Sequence, residues 1–200
     1  FEGVRAYKTK NGPAIFRLID HTNRLFDAAS KISIKIPFSE SELNAAQCDT
    51  LSKNNLEEGY IRPIVYLGNE GLGLRAKDLS INVAIAAWEW PSYMDPKAKE
   101  NGISVMKSSH MQYENPLHSG NKIIGTYFSN TMALHEALDN GADEAIMLDK
   151  NGYISEGSGE NIFIVKNDNI FTPTADHCLN GITRQSVIQI AKDLDFSIHE

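Results

Sequence analysis

The stretch Gly152-Tyr-Ile-Ser-Glu-Gly-Ser-Gly-Glu-Asn161 decides between the fold classes open to this chain. It follows a strand-like segment, Glu144 to Leu148, and the turn Asp149-Lys-Asn-Gly152 joins the two. Asn-Gly between two such segments is a strong signal for a β-hairpin. Because a hairpin pairs antiparallel strands, the sequence favours an α+β fold over repeated βαβ units.

Alternation of side chains between two faces, bounded by turn residues, predicts further strands on both sides of this hairpin. They cover Phe1–Tyr7, Ala14–Leu18, Tyr60–Leu67, Ser80–Trp90, Ile103–Lys107, Tyr153–Lys166 and Ile170–Thr172. Helical spacing and capping signals, such as the capping box Ser39-x-x-Glu42 and the closing Gly141, predict four helices. They cover Asp20–Lys31, residues 39–53, Thr126–Asn140 and Gly181–Leu194.

The segment Pro91-Ser-Tyr-Met-Asp-Pro96 carries two prolines within six residues, which predicts an interdomain linker at residues 91–96. We therefore expect two α+β domains. Residues 1–90 would form a small N-terminal domain in which two helices accompany a sheet. Residues 97–200 would form a larger, hairpin-rich domain.

Composition narrows the classes of function. The net charge of −7 over 200 residues argues against a nucleic-acid partner, which needs a basic face. The longest apolar run, Val83 to Trp88, is too short to span a bilayer, so no membrane partner is expected. Cys48 and Cys178 lie far apart with no CxxC pair, which argues against a zinc site and favours a reducing, cytoplasmic location. Phosphate-binding P-loops, GxGxxG, HExxH and GxSxG motifs do not occur, and no metal is expected.

Two polar stretches admit either a structural or a functional interpretation. Glu156 lies in a predicted strand beside Gly157 and Gly159, where small residues let another group approach the backbone. It is either part of a solvated strand face or an acid directed at a ligand. Gly181-Ile-Thr-Arg184 offers N–H groups and a hydroxyl at a helix start, which fit either an ordinary cap or an anion site.

Two cationic residues also admit either a structural or a functional interpretation. Arg24 is placed early in a predicted helix, where a cation is mildly unfavourable against the helix dipole unless an anion lies near. Lys122 precedes a predicted helix and is followed by Ile123 and Ile124. It is either a surface lysine or a partly desolvated amine, and desolvation would make that amine a nucleophile.

Six stretches, in this order, resemble the fold-type IV enzymes that depend on pyridoxal phosphate (PLP), and most closely the branched-chain amino acid aminotransferases. They are Phe1-Glu-Gly-Val-Arg-Ala-Tyr7, His21-Thr-Asn-Arg-Leu25, Tyr60-Ile-Arg-Pro63, Lys122 with Tyr127, Gly152 to Asn161, and Gly181-Ile-Thr-Arg184. The resemblance implies the two-domain α+β fold of that class, with a small α/β sandwich-like domain and a larger, barrel-like domain. It also implies PLP as the cofactor and a chain truncated at both ends, with the C-terminal part of the larger domain absent.

The resemblance assigns three roles around the cofactor ring. Lys122 resembles the lysine that forms the Schiff base with PLP and, once released, moves a proton. Glu156 resembles the carboxylate that faces the pyridine nitrogen and keeps it protonated. Tyr127 resembles the tyrosine beside the ring hydroxyl.

The same resemblance indicates which residues bind the cofactor phosphate and which bind the substrate. Arg24 and the pair Ile182 and Thr183 resemble the residues that bind the phosphate. The residues of the substrate pocket would be Phe1, Tyr60 and Arg62.

The implied reaction is transfer of the amino group from leucine, isoleucine or valine to 2-oxoglutarate. Its partners would be amino acids and 2-oxo acids, and the family implies a homodimer or a higher homo-oligomer. Three alternatives stay open: a D-amino acid transaminase, an aminodeoxychorismate lyase of the same fold, and a fragment without catalysis.

Overall fold

The computed structural model describes residues 1–71, 73–90, 97–112 and 120–200. The chain divides into two compact units, Phe1–Tyr93 and Met94–Glu200, and each is described by itself. The predicted linker, residues 91–96, lies outside the described residues. Within the described ranges, none of the helices has the length and apolar character that crossing a membrane requires.

The first unit is built on an antiparallel sheet of four strands in the order β2-β1-β3-β4. The strands are β1 (Val4–Thr9), β2 (Gly12–Ile15), β3 (Gly59–Leu67) and β4 (Ile81–Trp88). The alternation predicted at the N-terminus is present, because Glu2, Val4 and Ala6 are all fully buried. The predicted strands therefore form, with ends shifted by up to three residues.

Pro63 lies in β3, an internal strand, although its lack of an N–H predicts an edge position or a break in the ladder. The edge position is wrong, and the local break in the ladder is confirmed. The ladder between β1 and β3 has its last pair at Val4 and Ile61, and beyond it the Glu2 N–H donates to the Pro63 carbonyl at 3.0 Å. The donor that proline lacks would point to this side of β3, so the pairing of Pro63 with Ile85 of β4 loses nothing.

Two helices, α1 (Leu18–Lys31) and α2 (Glu40–Lys53), pack against each other, and α2 also packs on the sheet. The predicted capping box is confirmed, since the Ser39 side chain accepts from Glu42 N and the Glu42 carboxylate accepts from Ser39 N. The predicted cap at Asp20 is wrong. Helix α1 begins earlier, after Arg17 in the left-handed conformation, and the Asp20 carboxylate instead accepts from Arg17 Nε at 2.8 Å.

The core of the first unit has two clusters of buried apolar side chains. One joins β1 and β3 to α2 through Val4, Ala6, Leu51 and Ile61. The other joins the two helices through Leu25, Ala29, Ile36 and Leu43, with Val65 and Val83 of the sheet against it. These clusters fix α1, and thereby Arg24, relative to β1.

The second unit contains a sheet in the order β5-β6-β7, covered by one helix. Its strands are β5 (Val105–Lys107), β6 (Glu144–Leu148) and β7 (Ile154–Gly157). The short helix α3 (Ala98–Asn101) precedes β5, and a 3₁₀ turn at Ile124–Thr126 leads into α4 (Tyr127–Asp139). Alanines 133 and 137 of α4 pack on Ala145 and Met147 of β6. The residue after the α4 cap, Gly141, has φ +78°, as the predicted helix end requires.

The predicted strand Tyr153–Lys166 is wrong in its middle, because residues 158–163 form a loop. The backbone there turns to bond acidic side chains: Ser158 N donates to Glu144 Oε1 at 3.3 Å, and Gly159 N donates to Glu160 Oε2 at 3.0 Å. The chain then forms a second sheet in the order β10-β9-β8, whose members are β8 (Ile164–Lys166), β9 (Asn169–Phe171) and β10 (Ser197–His199). Helix α5 (Ile182–Asp193), predicted from Gly181, packs beside β10.

Candidate functional site

Lys122 lies at the approach to α4, immediately before the 3₁₀ turn. Its Nζ donates to the Tyr127 hydroxyl at 3.0 Å and lies 5.1 Å from the centre of that ring. The contact joins two residues, five positions apart, that the family resemblance placed together. Ile124 is 56 % exposed, so this neighbour does not desolvate the amine as its position in the sequence suggested. The amine is instead held by a phenol.

Glu156 is buried in β7, opposite Met147 of β6, so its interpretation as part of a solvated strand face is wrong. Its carboxylate accepts from the Gln112 side-chain amide, from Leu179 N at 3.0 Å and from Asn161 Nδ2 at 3.5 Å. Three donors from three separate segments thus fix the position of this acid.

Burial raises the pKa of Glu156 to about 7, and the donors at Leu179 and Gln112 together with the positive charge of Lys122 only partly oppose that rise. A buried carboxylate with a raised pKa lacks full compensation for its charge. It would therefore gain from a cationic N–H placed against it. Such perturbed acids are characteristic of functional sites.

The start of α5 lies next to Glu156 through Asn161. The Asn161 amide donates to the Leu179 carbonyl at 2.8 Å, and a Cβ on Gly181 would overlap the Asn161 Oδ1 atom. Helix α5 has no side-chain cap, its first turn carries no acidic residue, and Thr183 in that turn is exposed. A helix start that carries a threonine hydroxyl and no acidic residue is suited to an anion.

Two further acidic residues, Glu144 and Glu160, support the loop that follows Glu156. Glu144 is buried and accepts from Ala145 N at 2.7 Å, besides Ser158 N. Burial and the neighbouring Glu144 carboxyl raise the pKa of Glu160 to about 7. Glu160 therefore keeps its proton to a higher pH than an exposed glutamate does. Among the described residues, no group of three or more His, Cys, Asp or Glu side chains is arranged to hold a metal ion.

In the first unit, Arg24 lies in the second turn of α1 and not at its start, so the dipole argument does not apply there. The anion beside it is Glu2, which is fully buried and accepts from Arg24 Nε and Nη2, both at 2.7 Å. His21 Nδ1 lies 2.7 Å from the same carboxylate. Hydrogen bonds and charge from Arg24 and His21 outweigh burial and lower the pKa of Glu2 to about 2.

The three residues expected at the substrate pocket meet in the first unit. The Arg62 guanidinium lies 4.9 Å from the centre of the Phe1 ring and 5.1 Å from that of Tyr60. Arg62 Nη2 donates to the Tyr60 hydroxyl at 2.7 Å, while Arg62 Nε is buried with no hydrogen-bond partner in the described part of the chain. Trp88 and Trp90 pack on the Tyr60 ring at 5.1 and 4.7 Å. Together they form an aromatic cluster with one cation inside it.

Gly3 makes room for this aromatic cluster, and Gly3→Ala is expected to disrupt it. An added Cβ would overlap the Tyr60 hydroxyl and lie 2.7 Å from Tyr60 Cζ, and the ring centres of Trp88 and Trp90, 5.1 and 4.7 Å from that of Tyr60, leave the ring little room to move. Overpacking of this kind costs about 1–3 kcal/mol of unfolding free energy. Denaturant titration measures that loss, and the emission of the chain's two tryptophans, Trp88 and Trp90, reports the altered packing.

The control for this prediction is Gly125→Ala. Within the described residues no atom lies within 4 Å of a Cβ added there, and the backbone is not left-handed. Its unfolding free energy should stay within about 0.5 kcal/mol of the unchanged protein. Equal stability of Gly3→Ala and the unchanged protein, with identical emission, would contradict the prediction.

Four residues that bond to the candidate site residues or to each other were not singled out by the sequence analysis. Glu2 and His21 occur in the quoted stretches, and the burial of Glu2 could have been read from the alternation that buries Val4. Asn161 ends the deciding stretch, but its role depends on a contact with Leu179, 18 residues away. Gln112 lies in an irregular polar segment and offers no local signal.

Comparison with known proteins identifies the family. The profile of Amino-transferase class IV matches residues 1–200, and the chain belongs to this family. It is 49% identical over 201 residues to a branched-chain-amino-acid aminotransferase of Pseudomonas aeruginosa, and 40% identical over 203 residues to that of Escherichia coli K12. Each match covers 100% of this chain and 66% of the relative, so the chain spans just under two thirds of their length.

Solved structures give the same result for the fold. The Escherichia coli branched-chain amino acid aminotransferase matches with a TM-score of 0.96 at 40% identity, covering 100% of this chain and 66% of the other. The branched-chain aminotransferase from the archaeon Thermoproteus uzoniensis with norvaline matches with a TM-score of 0.92 at 38% identity, covering 100% and 67%. The enzyme from Thermobaculum terrenum in its PLP form matches with a TM-score of 0.89 at 28% identity, covering 100% and 66%. The predicted fold-type IV, α+β class is confirmed.

Proposed function

We propose that this protein carries out PLP-dependent transfer of an amino group from a branched-chain L-amino acid to 2-oxoglutarate. The observation that carries the proposal is the arrangement in the second unit: an amine held by a phenol, Lys122 on Tyr127, and a buried acid, Glu156, whose pKa responds to that amine. The named activity of the relatives supports the branched-chain substrate.

The residues present fit PLP by their own chemistry. The cofactor offers an aldehyde, a ring nitrogen that can carry a proton, and a phosphate. An amine, a buried carboxylate that lacks full charge compensation and a helix start with no acidic residue in its first turn are the matching partners, and all three occur in the second unit. Bound PLP supplies an electron-accepting ring that stabilises negative charge on the substrate α-carbon.

Lys122 would bind the cofactor aldehyde covalently through Nζ. The same Nζ, positioned by its bond to Tyr127, would serve as the general base toward the proton on the substrate α-carbon. Tyr127 would also lie beside the ring hydroxyl. Glu156 would hold the proton on the ring nitrogen, a charge-assisted hydrogen bond worth about 1.5–3 kcal/mol.

The phosphate of the cofactor would be bound by N–H groups at Ile182 and Thr183 and by the Thr183 hydroxyl. Arg24 would bind it as well, since a guanidinium matches phosphate oxygens in its geometry. For Arg24 this proposal rests on the sequence motif His21-Thr-Asn-Arg-Leu25.

The substrate would be received by Phe1, Tyr60 and Arg62. Aromatic rings offer a branched aliphatic side chain an apolar surface. Arg62, with its buried Nε, would offer a carboxylate-bearing substrate a charged partner. One cluster can therefore accept leucine in one half of the reaction and 2-oxoglutarate in the other. By family resemblance we also propose a cytoplasmic homodimer or higher homo-oligomer.

The experiment that tests the function is a titration with PLP followed by a substrate panel. The protein is expected to develop a visible absorbance band with PLP, and borohydride should fix the cofactor mass on the peptide that contains Lys122. L-leucine, L-isoleucine and L-valine should then be converted in the presence of 2-oxoglutarate. Conversion of D-alanine without L-leucine would replace this proposal by a D-amino acid transaminase.

Two further outcomes discriminate the remaining alternatives. Release of pyruvate from aminodeoxychorismate, without turnover of L-leucine, would indicate the lyase of this fold. Absence of both the absorbance band and the borohydride adduct would indicate a fragment without catalysis, and the proposal would fail.

A further inference from the structure

We propose that Glu2 is a positioning residue for the cofactor phosphate: it fixes the guanidinium of Arg24 in the orientation that binds it. This inference rests on the proposed function, since it takes Arg24 as a phosphate ligand. Glu2 itself would touch neither cofactor nor substrate.

Glu2 and Arg24 are joined along one edge of the guanidinium. Glu2 Oε1 accepts from Arg24 Nε and Glu2 Oε2 accepts from Arg24 Nη2, each at 2.7 Å, so two parallel hydrogen bonds join the groups. A guanidinium is planar and rigid, and two bonds on one edge therefore set its plane. The direction in which the third nitrogen, Nη1, donates is set with it.

Glu2 is itself held in place by buried contacts. Its side chain has no exposed surface, and its backbone N–H donates to the Pro63 carbonyl at 3.0 Å. His21 Nδ1 lies 2.7 Å from Oε2. Because the pKa of Glu2 is lowered to about 2, its carboxylate is ionised and only accepts, so His21 Nδ1 carries the proton and donates. The acid is held from the sheet and from α1 at once.

An arginine without such a partner would bind the cofactor phosphate less tightly. An arginine side chain loses about 2 kcal/mol of rotamer entropy when it is fixed in one geometry. In this protein, folding pays that cost before any ligand arrives, because Glu2 holds Arg24 in place. Preorganisation of this kind increases affinity without adding a contact to the ligand.

The test compares PLP with pyridoxal, which lacks the phosphate. Dissociation constants for both compounds are measured by absorbance titration of the cofactor-free protein. The dissociation constant of pyridoxal divided by that of PLP gives the contribution of the phosphate. In Glu2→Gln the amide offers one acceptor and one donor, so one of the two bonds to Arg24 is lost. The ratio should fall about 10- to 100-fold, while the dissociation constant of pyridoxal changes by about twofold or less.

Each outcome bears on a different claim. A parallel loss of affinity for both compounds would indicate a purely structural role for Glu2 and overturn the inference. Tighter PLP binding by Glu2→Gln would also overturn it, since Glu2 would then only neutralise Arg24. Loss of the ratio in Arg24→Met with an unchanged ratio in Glu2→Gln overturns the inference and leaves the proposed function standing. No PLP binding by the unchanged protein would remove both.

Two measurements cover the case in which Glu2→Gln does not fold. Glu2→Asp keeps the charge but is one methylene shorter, and it should lower the ratio in the same direction. In the unchanged protein, the ¹⁵N–¹H signals of the Arg24 side chain, assigned by their loss in Arg24→Met, should show slow rotation of the guanidinium without cofactor. Fast rotation would contradict a fixed orientation.

Discussion

Lys122→Ala is expected to abolish amino transfer, with a fall in kcat of about 10⁴-fold or more, because it removes both the covalent link to the cofactor and the group that moves the proton. The proposed function gives both tasks to one atom, Nζ, which donates to Tyr127 in the present structure. An alanine leaves the cofactor held only by its phosphate and its ring contacts. Affinity for PLP should therefore fall much less than activity.

The measurement pairs kcat with borohydride labelling. The variant should bind PLP without forming a reducible link, and no cofactor mass should remain on the peptide containing residue 122. Lys166→Ala is the control, because Lys166 is an exposed residue of β8 and its loss should leave both readouts unchanged. Labelling at another lysine in Lys122→Ala, with activity retained, would reject Lys122 as the reactive amine.

Elements that depend on local signals could be predicted from the sequence. The Asn151-Gly152 turn, the capping box at Ser39 and the glycine after α4 were each sufficient to place a hairpin or a helix end. In all three cases the deciding groups lie within a few residues of one another, so the sequence window contains the whole cause.

Features held by distant partners could not be predicted in this way. The break after Gly157 depends on Glu144, whose carboxylate bonds Ser158 from 14 residues away. Gln112 reaches Glu156 over 44 residues, and Glu2 reaches Arg24 over 22. Nothing local in the sequence indicates such pairs, because the fold brings them together.

The candidate site could be predicted from the sequence only in part. The family resemblance identified Lys122, Tyr127 and Glu156, and the structure brings the first two together. The resemblance did not indicate how the acid is fixed, since its donors are a backbone N–H at Leu179 and the side-chain amides of Gln112 and Asn161, to which the resemblance assigned no role. Residues proposed to perform chemistry thus carry a sequence signal, whereas the residues that fix their positions do not.

Glu156→Gln is expected to lower the rate of the amino-donor half-reaction about 10- to 100-fold, which corresponds to one charge-assisted hydrogen bond. Glutamine has nearly the same shape and can keep an acceptor toward Leu179, but it has no negative charge to hold a proton on the ring nitrogen. Single-turnover kinetics with L-leucine measures the step. The control is Glu100→Gln, an exposed acid of α3, which should react at the unchanged rate.

The same substitution predicts a pH-dependent difference in stability without cofactor. The pKa of Glu156 is raised from 4.5 to about 7 in the folded protein, so its contribution is full below pH 4.5 and is lost as the pH rises through about 7. The unfolding free energy of the unchanged protein, minus that of Glu156→Gln, should therefore fall by about 3 kcal/mol between pH 4.5 and about pH 8. Taking the difference removes most of the parallel titration of Glu160, because burial and Glu144 raise the pKa of Glu160 more than the charge of Glu156 does. Urea titrations across this range measure it, and a difference independent of pH would show that the buried acid is already compensated and needs no cationic partner.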